Sequence, residues 1–276
     1  MRSGTHWKSG RVAVMISNLC QLLDWDTSCF GKRIGRIVPT TITKDDIAAA
    51  IDWAGAKKID CLYFLCDIRD LESARLAAEY GFSLTDIRIK KEIFLSSRLT
   101  YRKCFEVDKI ELVKPEDIPV LKLIARESHA DSRFYTDRNF DPRKCAELYE
   151  HWLEKSCNGW AKAVLVARLN DETLGYASCH EASNDSGSIG LMAVASQARS
   201  RGLGTALLYG ALTWFQEHNI QKVTVVTQGR NIAAQRLYER SGFLTQAVQL
   251  WYHRWTSMAA SLSIVGDTRA AQGVGW

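Results

Sequence analysis

The sequence predicts an α/β protein built on a mixed sheet, and three observations carry that prediction. Apolar, β-branched runs of strand length alternate with helical patterns along most of the chain. An apolar strand end at Ile189–Val194 passes through Arg199-Ser200-Arg201-Gly202-Leu203-Gly204 directly into a helix. A unit of strand, helix, Gly-Phe and strand occurs twice, at 61–95 and 223–255, with Gly81-Phe82 and Gly242-Phe243 161 residues apart.

Taken in order, residues 1 to 10 are polar and read as a loose terminus, and residues 12 to 23 are apolar. Asp24 to Gly31 reads as an aromatic, glycine-closed turn leading to a strand near Ile34. Thr43-Lys44-Asp45-Asp46 opens a helix to Ala56, with its aspartates where the helix dipole favours negative charge. Ile59–Cys66 is a strand, Asp70–Tyr80 a helix, and Gly81 its exit. Under the 161-residue shift Leu76 falls on Leu237 and Asp70 on Asn231, but Ala77 falls on Tyr238. The first half also lacks an arginine-glycine turn, so it reads as a copy that kept the scaffold and lost the chemistry. Any strand-helix-strand unit gives a similar match, so coincidence stays open.

The second half begins near Cys104. Phe105–Val113 is a strand, and Pro115 opens a helix to Ser128. Asp131–Tyr135 is a loop, and Asp141-Pro142 caps a helix to Cys157. Strands at 163–169 and 174–182 meet at Asn170-Asp171, and a third, 188–194, follows the turn at 184–187. The helix after Gly202 runs to about His218, Val223–Thr227 is a buried strand, a short helix follows Asn231, and Val248–Trp255 is the last strand. Residues 257–276 lose periodicity and form a peripheral tail.

Composition bounds the function. The chain has 276 residues, 46% hydrophobic and 24% charged, as in globular proteins, and a net charge of +5. That charge suits anionic small molecules and is too weak to argue for nucleic acid. The eight cysteines form no Cys-x-x-Cys pair and have no histidine at metal spacing, which points to free thiols and no metal. No signal peptide and no membrane-length apolar run stand out, so a cytoplasmic protein without membrane contact is expected.

The arginine-glycine turn is an anion cradle. The first N–H groups of a helix have no internal partner, glycines at 202 and 204 let a phosphate approach, and Arg199 and Arg201 add counter-charge. The pattern R-x-x-G-x-G, followed by N-x-x-A-x-x-L-Y-x-x-x-G-F at 231–243, resembles the GNAT acyl-CoA-dependent N-acyltransferases. The resemblance implies a GNAT fold over 104–256, behind a truncated GNAT-like half-domain at 1–103. It also implies acetyl-CoA as co-substrate. On that reading Arg199, Ser200, Arg201, Gly202, Leu203, Gly204 and Thr205 hold the pyrophosphate. The main chain at Ala193 and Val194 pairs with pantetheine, Asn231 and Ala234 lie beside the pantetheine arm, and Tyr238 stands by the thioester sulfur. A phenol there is a suitable acid for the departing thiolate. His180 and Glu181 face opposite sides of one strand, and the likeness favours Glu181 as a base, unless the amine arrives neutral or water relays the proton.

Further stretches resemble one bacterial branch, the TDP-fucosamine (dTDP-4-amino-4,6-dideoxygalactose) N-acetyltransferases of surface-polysaccharide synthesis. They are Trp25-Asp26 with Phe30-Gly31, Ser132-Arg133-Phe134, Tyr149-x-x-Trp152, residues 224–238 and Trp251–Arg254. That likeness implies a nucleotide-sugar acceptor held by Ser132, Arg133 and Phe134, with Phe30 and Trp25 nearby. Cys29 stands where the branch has an aromatic residue, and Leu237 where it has a basic one. Acetylation of a peptide or small amine is the alternative, though no acidic cluster suits a basic substrate; a non-catalytic acyl-CoA sensor is the third reading. An exposed Trp251 would favour a homodimer.

Overall fold

The structure, a computed structural model, describes residues 18–95, 109–183 and 185–256. The expected loose terminus, the region around Cys104 and the tail lie outside them. The described residues fold as two compact units, divided between 87 and 88 and between 248 and 249, with the stretch after 248 joining the first unit.

In the first unit β1 (Cys20–Leu22) pairs antiparallel with β2 (Ile34–Ile37), which runs parallel to β3 (Cys61–Asp67). The fourth strand of this sheet comes from the end of the chain: residues 249–255 of β10 (Leu244–Trp255) pair antiparallel with β3. Three helices accompany them. The first, α1 (Asp24–Phe30), replaces the expected turn; seven residues are too few for an apolar period to declare itself, and left-handed Gly31 ends it. Next comes α2 (Lys44–Ala56), which begins at a capping box in which Thr43 and Asp46 each accept the other's backbone N–H. Asp70 caps α3 (Leu71–Glu79) through the Ser73 N–H.

Tyr252 from β10 packs in this unit's core with Ile37, Ile47, Leu62, Phe64 and Leu76, its ring stacked 6.3 Å from Phe64. Tyr252→Ala should therefore cost about 3 kcal/mol of stability through the cavity it leaves. Urea unfolding of the whole chain checks this, and an unchanged midpoint would refute it. Trp251 is partly rather than fully exposed, its ring 6.3 Å from Tyr63 with the Arg36 guanidinium over its face.

The second unit takes residues 88–94 of β4 (Ser83–Phe94), which pair antiparallel with β9 (Lys222–Gln228). Outward from β9 follow β8 (Ser186–Val194), β7 (Glu172–Ser183), β6 (Ala163–Leu169) and β5 (Lys109–Leu112). Only β8 and β9 are parallel. The β6–β7 hairpin turns at Asn170 and Asp171, both at positive φ, as the short polar pair predicts. Helices α4 (Ile118–Ser128) and α6 (Pro142–Lys155) pack together. The expected loop between them holds a single helical turn, α5 (Arg133–Thr136). The remaining helices are α7 (Leu203–Glu217) and α8 (Ile232–Arg240).

The 161-residue shift holds residue by residue. It maps β3 onto β9, α3 onto α8 and β4 onto β10 without a change in bounds. It also maps the pair Gln249↔Asp67 onto Arg88↔Gln228, so each unit's sheet is completed by the other half's strand. The units differ where chemistry would sit. By pairing, Ile34↔Cys61 corresponds to Ser186↔Lys222, which sets Ile37 at the place of Ile189. There β2 ends, whereas β8 continues to Val194 and the arginine-glycine turn.

Candidate active site

Beyond Ile189↔Val225 the two parallel strands part: β8 continues along β7 to Val194, and β9 along β4 to Gln228. A β-bulge accompanies the parting. Cys179 faces Ile189 but Ala177 faces Met192, so Gly190 and Leu191 stand opposite Ser178 alone. The Leu191 N–H, displaced from the ladder, donates to Ser178 Oγ at 2.9 Å.

Past Val194 the chain reverses through Ser200 and Gly202, both left-handed at φ 63° and 85°, and enters α7. A serine held in that conformation is uncommon. Around it lies a cavity of about 650 Å³. The strand end contributes Met192, Ala193 and Val194, the turn Ala198, Arg199, Ser200 and Gly202, and α7 Gly204, Thr205 and Tyr209. From α8 and its exit come Ala233, Ala234, Arg236, Leu237, Arg240 and Ser241. Three arginines and no acidic side chain stand in this lining. With a helix N-terminus beside them, they give a site suited to an anion chain such as a pyrophosphate.

Most of the residues expected at the donor site thus meet in one place. Arg199, Ser200, Gly202, Gly204, Thr205, Ala193, Val194 and Ala234 all line the cavity. Arg199 also donates from Nε to the Val194 carbonyl at 3.2 Å, tying the turn to the strand end. Arg201 is exposed and outside the lining, and Leu203 is buried in the core. Asn231 is spent on capping: its Oδ1 accepts the Ala234 N–H at 3.0 Å, as Asp70 does for α3. Arg236, Arg240 and Leu237 escape sequence reasoning, because their helical spacing does not say which face of α8 turns inward.

Tyr238 lies four residues beyond Ala234, hence on the same side of α8. It is buried, packs 5.5 Å from Phe243, and does not line the cavity. Burial pushes its hydroxyl up to about 12, which keeps it protonated at neutral pH. Glu181 sits differently from expectation. It is exposed and ion-paired with Lys162 at 3.4 Å. It faces Gly187, whose missing side chain would meet Phe215 of α7, so Glu181 belongs to the α7 side of the sheet.

The acceptor residues are less open than their chemistry suggests. Phe134 is buried edge-on to Phe140 at 5.7 Å, and the Arg133 guanidinium covers its face at 4.1 Å. Ser132 is buried beside the Tyr149 hydroxyl. Phe30 is buried within the first unit, and Trp25 there is 40% exposed.

Sequence reading also misses His129. Its Nε2 lies 3.0 Å from the Tyr176 hydroxyl, and its ring stacks on Tyr149 at 4.4 Å. Burial, then the charge of Arg199, lowers its pKa to about 4. The unfolded chain takes up this proton near pH 6.5 and the folded chain only near 4, so stability present above 6.5 is lost as pH falls through that window. The melting temperature of wild type should fall there more than that of His129→Gln; parallel curves would remove His129 as the cause.

Among the described residues no helix is long and apolar enough to cross a membrane. Residues 125–243 match the acetyltransferase (GNAT) family. The spore coat polysaccharide biosynthesis protein SpsD of Bacillus subtilis is 29% identical over 53% of this chain and 50% of its own length. The dTDP-fucosamine acetyltransferase of Escherichia coli O6:H1 is 29% identical over 50% of this chain and 59% of its own. The chain thus spans about half the length of the curated relatives it matches. A GCN5-related N-acetyltransferase from Sphaerobacter thermophilus shares the fold, with a TM-score of 0.63 at 14% identity over 86% of this chain and 76% of its own. The parted strands and the arginine-glycine turn both lie inside residues 125–243, the segment that matches the GNAT family.

Proposed function

We propose that the chain is an acetyltransferase that moves the acetyl group of acetyl-CoA to the primary amine of a nucleotide-linked 4-amino-4,6-dideoxy sugar, for surface-polysaccharide synthesis. The observation that carries the donor half is the cavity itself, with three arginines, no acidic lining residue and a glycine turn opening a helix. Ser200 to Thr205 supply main-chain N–H groups to the pyrophosphate, and Ala193 and Val194 pair strand-like with pantetheine. The likeness to the two relatives supports the acceptor half, with Ser132, Arg133 and Phe134 as its candidate residues. The first unit, on this reading, is a copy that keeps the scaffold without a cradle.

The chemistry is direct transfer. The amine lone pair attacks the thioester carbonyl, the C–S bond breaks, and Tyr238 gives its hydroxyl proton to the departing thiolate. Holding amine and thioester together supplies much of the acceleration. Thiol release from acetyl-CoA should be measured with dTDP-4-amino-4,6-dideoxygalactose, the free amino sugar and a peptide with a free N-terminus. The dTDP sugar should give the highest kcat/KM. Preference for the peptide would overturn the acceptor assignment, and release with none of them would leave a protein that only binds the donor.

A further inference from the structure

A histidine stands where the two parallel strands part. His180 and Glu181 are neighbours on β7 and face opposite sides. Glu181 takes the α7 side; His180 takes the other, beside Ser178 and across from Ser188. Its Nε2 is 3.1 Å from Ser178 Oγ, the same oxygen that accepts the Leu191 N–H at the bulge. A side chain on Gly190 would place its Cβ 2.6 Å from that Nε2 and 2.8 Å from Cδ2. Gly190 itself is exposed, and it is the first residue of β8 beyond the last pair with β9. The imidazole therefore occupies the side-chain space that glycine leaves vacant just beyond the last pair of β8 with β9. Trp160, edge-on at 4.8 Å, fixes the ring from the other flank.

We propose that His180 is the general base of the acetyl transfer, accepting at Nε2 the proton of the attacking amine at the point where β8 and β9 part. This rests on the acetyl-transfer reading above. As the amine nitrogen bonds to the acetyl carbon, its N–H proton passes to His180. As the C–S bond breaks, the sulfur takes the proton of Tyr238. The imidazolium and the phenolate then exchange their proton through solvent, so the balance is amine and acetyl-CoA in, amide and CoA thiol out.

The surroundings favour a neutral ring. Burial lowers the His180 pKa, and the Trp160 backbone, which accepts from the ring, opposes this in part. With Nδ1 donating to that backbone, the lone pair is on Nε2, which faces Ser178 Oγ at 3.1 Å. The Ser178 hydroxyl has the Leu191 carbonyl at 3.4 Å as its other acceptor, and turning there leaves the lone pair for the amine. The charged groups nearby are engaged elsewhere: Lys155 over the Trp160 ring at 5.2 Å, Lys162 with Glu181 at 3.4 Å. None of them contributes to the shift.

The test compares wild type, His180→Gln and Glu181→Gln with acetyl-CoA and dTDP-4-amino-4,6-dideoxygalactose across pH 5 to 9. His180→Gln should lower kcat by about a hundredfold, leave acetyl-CoA binding by calorimetry unchanged, and remove a limb of the pH profile that Glu181→Gln retains. An active wild type with His180→Gln within threefold of it, or with the limb intact, would overturn the base and leave the acetyl-transfer reading standing. A wild type that binds acetyl-CoA but acetylates no amine would overturn both. Should the variant misfold, nitrogen-detected NMR of wild-type His180 decides: an Nδ1–H tautomer at pH 7 is expected, and an imidazolium there would refute the assignment.

Discussion

Tyr238→Phe should lower kcat by about a hundredfold and leave acetyl-CoA affinity and folding close to wild type. The ring rests against Phe243 in a buried site that phenylalanine fills equally well, so only the hydroxyl is lost. Burial holds that hydroxyl near 12, above its ordinary value. It is therefore protonated at every pH where the enzyme is assayed, and the alkaline side of the profile should show no tyrosine limb below about pH 10. The thiolate is the poorer leaving group without a donor, so the deficit should shrink with an acyl donor of lower thiol pKa. Initial rates of thiol release check the result. A mutant within twofold of wild type would take Tyr238 out of the chemistry.

Gly204→Asp should separate binding from folding. Gly204 sits in the first turn of α7, and a Cβ there meets only Leu237 and Val194 at 3.7 and 3.9 Å, ordinary contact distances. A carboxylate at a helix start favours the helix through the dipole, so the melting temperature should hold or rise. The same carboxylate points among the cavity residues, where a pyrophosphate would meet it, and like charges at close range cost several kcal/mol. The acetyl-CoA dissociation constant should rise at least ~30-fold, or about 2 kcal/mol. Calorimetric titration beside a thermal melt reads both, and unchanged affinity would mean that the coenzyme binds elsewhere.

The contrast between these two residues shows what a sequence can disclose. Gly202 was legible because a left-handed residue opening a helix calls for glycine, and Arg199 and Gly204 because they belong to the same short arginine-glycine pattern. The caps at Thr43, Asp70 and Asn231 were legible as helix starts for the same reason. Arg236 and Arg240 were not, since local spacing defines a helix face but not what it turns toward. The bulge at Gly190 and Leu191 is set by pairing across β7 and β8, and alternation along one strand cannot reveal an extra residue. This leaves Glu181 and His180 equivalent on paper, although they stand on opposite sides of the sheet. The reciprocal use of residues 88–94 and 249–255 is likewise a matter of long-range pairing, though the 161-residue repeat was visible in the sequence. His129 carries no local signal, because a lone histidine in a helix exit becomes informative only once its neighbours are known.

A crystal structure of the chain with acetyl-CoA tests the central claim most directly. The pyrophosphate is expected on the main-chain N–H groups of 200–205, with guanidiniums of Arg199, Arg236 or Arg240 beside the phosphates. Pantetheine is expected along Ala193 and Val194, and the thioester sulfur within about 3.5 Å of the Tyr238 hydroxyl. Acetyl-CoA bound away from this turn, or seated there with Tyr238 still packed out of reach of the sulfur, would contradict it.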